Sequence, residues 1–141
     1  MITTLRDFKL LKNILISLFI MLIFFVLGAY GLRLAAISHH VAPVWPASGF
    51  AIAALVVFGR QFFFSIFLGS LLVNSLVNFH WISFFGIALG NTLEALIGAF
   101  LIQWLINKKF FVLYTEIISL IISVPMGAAC NSILGAILLE A

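Results

Sequence analysis

Long apolar segments, separated by short groups of charged and turn-forming residues, dominate the pattern of this chain. Five such segments can be marked, and each is close to the roughly 20 residues that an α-helix needs to cross the apolar core of a bilayer. Their approximate bounds are residues 13–32, 41–59, 61–77, 82–106 and 117–139. The pattern predicts an all-α fold, a polytopic bundle of about five membrane-spanning helices.

Composition agrees with a membrane protein, because 65% of the residues are hydrophobic and only 8% are charged. Soluble domains are roughly half apolar and a quarter charged. Five crossings nearly exhaust 141 residues, so we expect residues 1–141 to form one integral membrane domain. No room is left for a soluble catalytic domain, and we therefore expect no enzymatic activity.

The lysines and arginines are distributed unequally between the two sides that alternate segments define. If the N-terminus is cytoplasmic, only Arg33 lies outside. The cytoplasmic set is then Arg6, Lys9, Lys12, Arg60, Lys108 and Lys109. This bias follows the positive-inside rule, so it predicts a cytoplasmic N-terminus and an external C-terminus.

The fourth segment carries an ionisable side chain, Glu94, in the middle of an apolar run. Wound at about 100° per residue, the helix places small and polar residues on the face of Glu94 and bulky residues on the opposite face. The first group is Ser83, Gly86, Gly90, Asn91 and Gly98, and the second is Phe85, Leu89, Leu96 and Phe100. Because small residues let helices approach closely in lipid, we expect Glu94 to face other helices.

A carboxyl group near the bilayer centre costs at least about 2–3 kcal/mol and by default marks a functional site. No lysine or arginine lies at comparable depth, so we expect a protonated acid that donates a hydrogen bond. We expect Asn74, Asn91 and Asn131 to lie in the outer half or middle of the membrane. Asparagines can also act as purely structural contacts between helices. We take these four residues as candidate ligand-binding or signalling residues.

The second segment opens with Pro43 and Pro46, and Gly49 and Ala53 follow at small-xxx-small spacing. This pattern predicts a rigid helix start and close packing against another helix through Gly49 and Ala53. Trp45 is expected at the outer mouth of the bundle.

The histidines in the outer loops and the single cysteine are weak candidates for metal binding, pH sensing or catalysis. His39, His40 and His80 could bind a metal or report external pH, but interfacial residues are the simpler interpretation. Cys130 could act as a nucleophile with His80 as its base, but nothing in the sequence brings them together. We expect no metal, no cofactor and no catalytic residue.

Three motifs occur in order along the middle of the chain: W-P-x-S-G at 45–49, F-L-G-x-x-x-x-N at 67–74 and G-N-T-L-E-A at 90–95. As a set they resemble the membrane-associated sensor domain, type 1, over about residues 41–106. The matching residues are Trp45, Pro46, Ser48, Gly49, Gly69, Asn74, Gly90, Asn91, Glu94 and Ala95. The resemblance adds Trp45, Pro46 and Ser48 to the candidate ligand-binding or signalling residues.

The resemblance implies a sensory module in the inner membrane of a bacterial cell, with about eight helices in the complete family domain. Such modules signal to cytoplasmic outputs such as diguanylate cyclases, which make cyclic di-GMP, or the histidine kinases of two-component systems. We therefore expect this chain to hold the first five helices of a domain that is incomplete at its C-terminus. Its expected partners are the lipid bilayer and a cytoplasmic output domain or separate signalling protein; a homodimer is a further candidate, and nucleic acid is not expected.

Three classes of function remain open at the level of sequence. The favoured one is a sensor whose polar pocket within the membrane binds a ligand or responds to membrane state. The alternative is a small proton-coupled transporter that uses Glu94, although no inverted repeat of the transporter kind is evident. A structural assembly subunit is the third.

Overall fold

The computed structural model describes residues 2–38, 45–77 and 81–107, which form four α-helices and a short 3₁₀ turn. Helix α1 comprises Ile2–Ser38, α2 Pro46–Phe58, α3 Phe63–Asn74 and α4 Trp81–Asn107. The 3₁₀ turn Arg60–Phe62 joins α2 to α3. The prediction of an all-α fold is confirmed for the described residues.

Local sequence explains where α2 begins and ends. Trp45 has extended backbone angles, and Pro46 occupies the first helical position, where a missing N–H costs nothing. The helix ends at Gly59, whose φ of 105° suits glycine. The Gly59 N–H bonds to the Leu55 carbonyl at 3.1 Å, and the Phe62 N–H bonds to the Gly59 carbonyl at 3.2 Å. Together these bonds reverse the chain between α2 and α3.

Contacts along α1 show that the helices run alternately up and down. The N-terminal half of α1 lies beside the turn between α2 and α3, since Lys12 and Gln61 line the same cleft. The C-terminal half lies beside the start of α2, because Gly31 faces the ring of Trp45. Helices α2 and α3 each pack against both α1 and α4. The short helices therefore lie between the two long ones.

Small residues set the spacing between these helices. A Cβ atom on Gly69 of α3 would lie 3.1 Å from the Met21 carbonyl oxygen and 3.2 Å from Phe24 on α1. A Cβ atom on Gly98 of α4 would lie 2.8 Å from Ile52 on α2. Alanines complete the core, with Ala51 of α2 and Ala95 of α4 buried among them. Contact of this kind holds helices together in lipid, where apolar burial contributes little.

Helix length supports two of the predicted crossings. Residues Arg6–Leu34 and Trp81–Trp104 are long and apolar enough to cross a bilayer, whereas α2, with 13 residues, and α3, with 12, are shorter. At 1.5 Å per residue each short helix is about 20 Å long, below the roughly 30 Å of the apolar core. Within the described residues, α2 covers residues 46–58 of the segment 41–59, and α3 covers residues 63–74 of the segment 61–77. The fifth segment, 117–139, lies outside the described residues, so the count of five crossings and the cytoplasmic N-terminus stay predictions.

The expected packing face of α2 is wrong within the described part of the chain. Gly49 and Ala53 are exposed, and a Cβ atom on Gly49 would meet nothing within 4 Å. The buried residues are instead Ala47, Ala51, Ile52, Ala54 and Leu55. Alanine and leucine fill this face because it has to contact α1 and α4 at once, and small-xxx-small spacing alone does not indicate which face is buried.

Candidate functional site

Glu94 lies in the interior of the bundle, with 3% of its surface exposed. Its partner is Ser48 in the first turn of α2, whose hydroxyl lies within hydrogen-bonding reach of the Glu94 carboxyl group. The Ser48 N–H bonds to the Trp45 carbonyl at 3.1 Å, so the first turn of α2 holds Ser48 at the level of Glu94. The expectation that Glu94 faces other helices is confirmed.

Asn91 connects α4 to α3, one turn before Glu94. Its Nδ2 atom donates a hydrogen bond of 2.7 Å to the hydroxyl oxygen of Ser70, which is fully buried. Because Asn91 and Glu94 are three residues apart, they project from nearly the same face of α4. That face therefore makes polar contacts with α3 and α2 at almost the same depth.

Asn74 makes a second connection between α3 and α4. Its Nδ2 atom donates a hydrogen bond of 3.0 Å to the Phe84 carbonyl oxygen. Phe84 lies ten residues before Glu94, near the start of α4. From Phe84 to Glu94 the polar contacts extend over about 15 Å of α4. These contacts fix the axial position of α4 relative to α2 and α3.

The predicted division of α4 into two faces holds for most residues. Ser83, Gly90, Asn91, Glu94 and Gly98 are buried, and Phe85, Leu89 and Phe100 are exposed. Two residues depart from the prediction: Gly86 is only half-buried, and Leu96 is half-buried and packs against the core. A long side chain at the edge of the buried face can still reach the core. Positions around the helix axis alone do not show this.

Ser70 and Thr92 are polar residues of this region that were not singled out from the sequence. Ser70 lies four residues before Asn74, so the pair occupies one face of α3, and this spacing is the signal that could have found it. Thr92 is buried, and its hydroxyl bonds to the Ala88 carbonyl at 2.7 Å within α4. Such a bond satisfies the hydroxyl locally and leaves Thr92 no evident role between helices.

Trp45 and Pro46 lie beside this polar region rather than in it. Pro46 starts α2, and the half-buried ring of Trp45 packs against Gly31 of α1, while Ser48 faces α4. The motif W-P-x-S-G therefore supplies one residue to the polar contact and two to the helix start and its packing.

Several candidates lie outside the described residues: Asn131, Cys130, His39, His40 and His80. Within the described ranges, no group of three or more histidine, cysteine, aspartate or glutamate residues could hold a metal ion. The chemistry available at the site consists of hydrogen bonds made by one carboxyl group, amides and hydroxyls. These groups can recognise a polar ligand or hold helices in register.

The MASE1 family profile, which describes membrane-associated sensor domain 1, matches residues 16–141. No curated protein and no solved structure matches the chain. The match covers all three motifs, including the turn that carries Ser48 and the helix that carries Glu94. The chain therefore belongs to the MASE1 family of membrane sensory domains.

Proposed function

We propose that this chain is the multi-pass sensory module of a bacterial inner-membrane signalling protein, with its N-terminus in the cytoplasm. The stimulus, a ligand or a change in membrane state, acts at the polar contact between α2 and α4. The response is a shift of α4 against the two short helices, passed to a cytoplasmic output domain or partner such as a diguanylate cyclase or histidine kinase. The module itself carries no catalysis.

The contact of the Glu94 carboxyl group, which is buried inside the bundle, with the Ser48 hydroxyl is the observation that carries this proposal. Burying a carboxyl group between two helices costs desolvation free energy, whereas an alanine or leucine could fill the same space without that cost. A buried polar group that loses its partner destabilises the helix interface by its desolvation penalty, about 1–3 kcal/mol. An equilibrium between two packings of α4 can be biased by a stimulus at that point.

The sensor proposal is tested with the variant Glu94→Gln, introduced into the native gene and expressed from its own locus. The amide preserves the shape and a hydrogen bond to Ser48 but removes the acid. We expect a changed output, read as the cellular level of cyclic di-GMP or as kinase autophosphorylation, at an unchanged amount of protein in the membrane. Leu89→Met is the control, because it changes a side chain on the exposed face of α4 without adding a polar group.

Two results would overturn the proposal in different ways. Normal output from Glu94→Gln with normal accumulation would remove Glu94 from signalling. Substrate-driven proton movement in liposomes that contain the purified chain, lost in Glu94→Gln, would favour the transporter. If Glu94→Gln fails to accumulate while Leu89→Met does, Glu94 is a folding element.

A further inference from the structure

A cleft of about 340 Å³ lies far from Glu94, where the N-terminal half of α1 meets the turn between α2 and α3. Lys9, Lys12 and Asn13 line it from α1, and Gln61 lines it from the 3₁₀ turn. Phe58 and Phe62 supply apolar lining. The cleft thus combines two ammonium groups, two amides and an aromatic wall.

Helical geometry concentrates positive charge on the cleft. Lys9, Lys12 and Asn13 are spaced i, i+3 and i+4, so they project from one face of α1. Asp7 lies two residues before Lys9, and therefore on the opposite face of the helix. None of the described residues that line the cleft is acidic. The positive charge of the two lysines is therefore available to a ligand in the cleft.

The aromatic wall is part of the folded core and also reaches the surface. Phe62 is buried, and Phe58, with 38% of its surface exposed, packs edge to face against it at 6.5 Å between ring centroids. Below the lysines, α1 continues with Ile16 towards its long apolar segment. An occupant with a phosphate at the lysines can therefore extend an apolar part along the protein into the bilayer.

We infer that this cleft binds the headgroup of an anionic phospholipid from the leaflet that surrounds the lysine-bearing end of the bundle. The lysine ammonium groups contact the phosphate, and the Asn13 and Gln61 amides donate to headgroup or glycerol oxygens. The acyl chains lie against Phe58 and the apolar surface of α1. Basic pockets between helices at a membrane surface are suited to such headgroups. A free phosphate would neutralise the lysines but leave the exposed part of Phe58 uncovered.

The inference is tested with the full chain in nanodiscs that contain equal amounts of phosphatidylglycerol and phosphatidylethanolamine. Native mass spectrometry after release into detergent measures which lipid stays bound. We expect phosphatidylglycerol to be retained in preference to phosphatidylethanolamine. In Lys9→Gln/Lys12→Gln the affinity should fall roughly 30-fold, since each basic residue near an anionic lipid surface contributes a factor of roughly 5. Lys9→Arg/Lys12→Arg should retain the preference.

Arg6→Gln/Arg60→Gln is the matched control, because it removes the same charge from the lysine-bearing end of the bundle at two exposed residues that do not line the cleft. It should leave retention within about twofold of the unaltered chain. An equal loss in the control would mean diffuse attraction to the surface, and equal retention of both lipids would contradict any anionic site. If glycerol 3-phosphate displaces the lipid as effectively as short-chain phosphatidylglycerol does, the cleft is a site for soluble phosphates and the inference is wrong. Circular dichroism identifies any variant that misfolds, and the lipid preference of the unaltered chain decides the question even then.

Discussion

At the scale of single residues, two pairs of polar side chains join different helices of this domain. Ser48 meets Glu94 between α2 and α4, and Ser70 meets Asn91 between α3 and α4. Hydrogen bonds between membrane helices average only about 0.6 kcal/mol and reach about 1.7 kcal/mol. A sensor benefits from contacts of this size, because they specify one packing without preventing another.

A double-mutant cycle measures the contact at Glu94 directly. We expect Ser48→Ala to lower the free energy of unfolding by about 0.6–1.7 kcal/mol. In a Glu94→Leu background, the same change at Ser48 should cost much less, because its partner is already gone. Unfolding in sodium dodecyl sulfate, followed by circular dichroism, gives the four free energies. Additive effects would show that the two side chains do not interact, and Ser75→Ala, at an exposed serine, controls for loss of a hydroxyl.

At the scale of helices, close approach depends on which glycine faces a neighbour. Gly69 faces the backbone of α1 at Met21, which cannot move aside without shifting the whole helix. Gly49 belongs to the same type of pattern in sequence but faces open space. Two glycines that look equivalent in the sequence therefore differ in what a methyl group would meet.

Alanine substitution at these two glycines should separate them. Gly69→Ala should lower the free energy of unfolding by about 1–3 kcal/mol, since α1 and α3 must move apart to admit the methyl group. Gly49→Ala, the matched control, should be neutral or stabilising by up to about 1 kcal/mol, because alanine favours a helix. Thermal unfolding in detergent provides the comparison. Equal stability of the two variants would contradict the close contact between α1 and α3.

At the scale of the whole molecule, the bundle has one end rich in positive charge. Lys9, Lys12 and Arg60 lie at the end formed by the α2–α3 turn, where the Arg60 guanidinium sits 5.8 Å from the centre of the Phe100 ring. Arg33 lies towards the other end, near the start of α2. The tertiary structure thus gathers cations from α1 and the turn at one end, the arrangement that the positive-inside rule favours on the cytoplasmic side.

Cysteine accessibility tests this orientation. In a Cys130→Ser background, Gln61→Cys should react with a membrane-impermeant maleimide only after the inner membrane is opened, because the proposed orientation places the α2–α3 turn in the cytoplasm. Leu76→Cys, an exposed position just after α3, should react in intact spheroplasts. Labelling of both from outside would disprove the orientation. Labelling of both from inside would mean that α2 and α3 enter and leave on the same side, without crossing the membrane separately.

Much of the fold and part of the site could be predicted from particular residues. The apolar runs specify helices, and winding one of them placed Glu94 and Asn91 on a buried face while leaving Phe85 and Leu89 exposed. Motif order placed the chain in its family before any contact was known. The partners could not be predicted. Spacing to Asn74 places Ser70 on the same face of α3, but it does not indicate that Ser70 bonds to Asn91 across an interface while Ser75 bonds to the Leu72 carbonyl of its own turn.

By itself, the sequence determined the class of protein, the approximate helices, the buried face of α4 and the family, because these depend on composition, period and local motifs. Only the tertiary structure decided that Ser48 bonds to Glu94, that Gly69 and not Gly49 meets a neighbouring helix, and that Gln61 joins Lys9 and Lys12 around one cleft. Each of these is a relation between helices distant in the chain. Such contacts depend on the distance, register and rotation of packed helices, and the periodicity of one helix does not determine any of these.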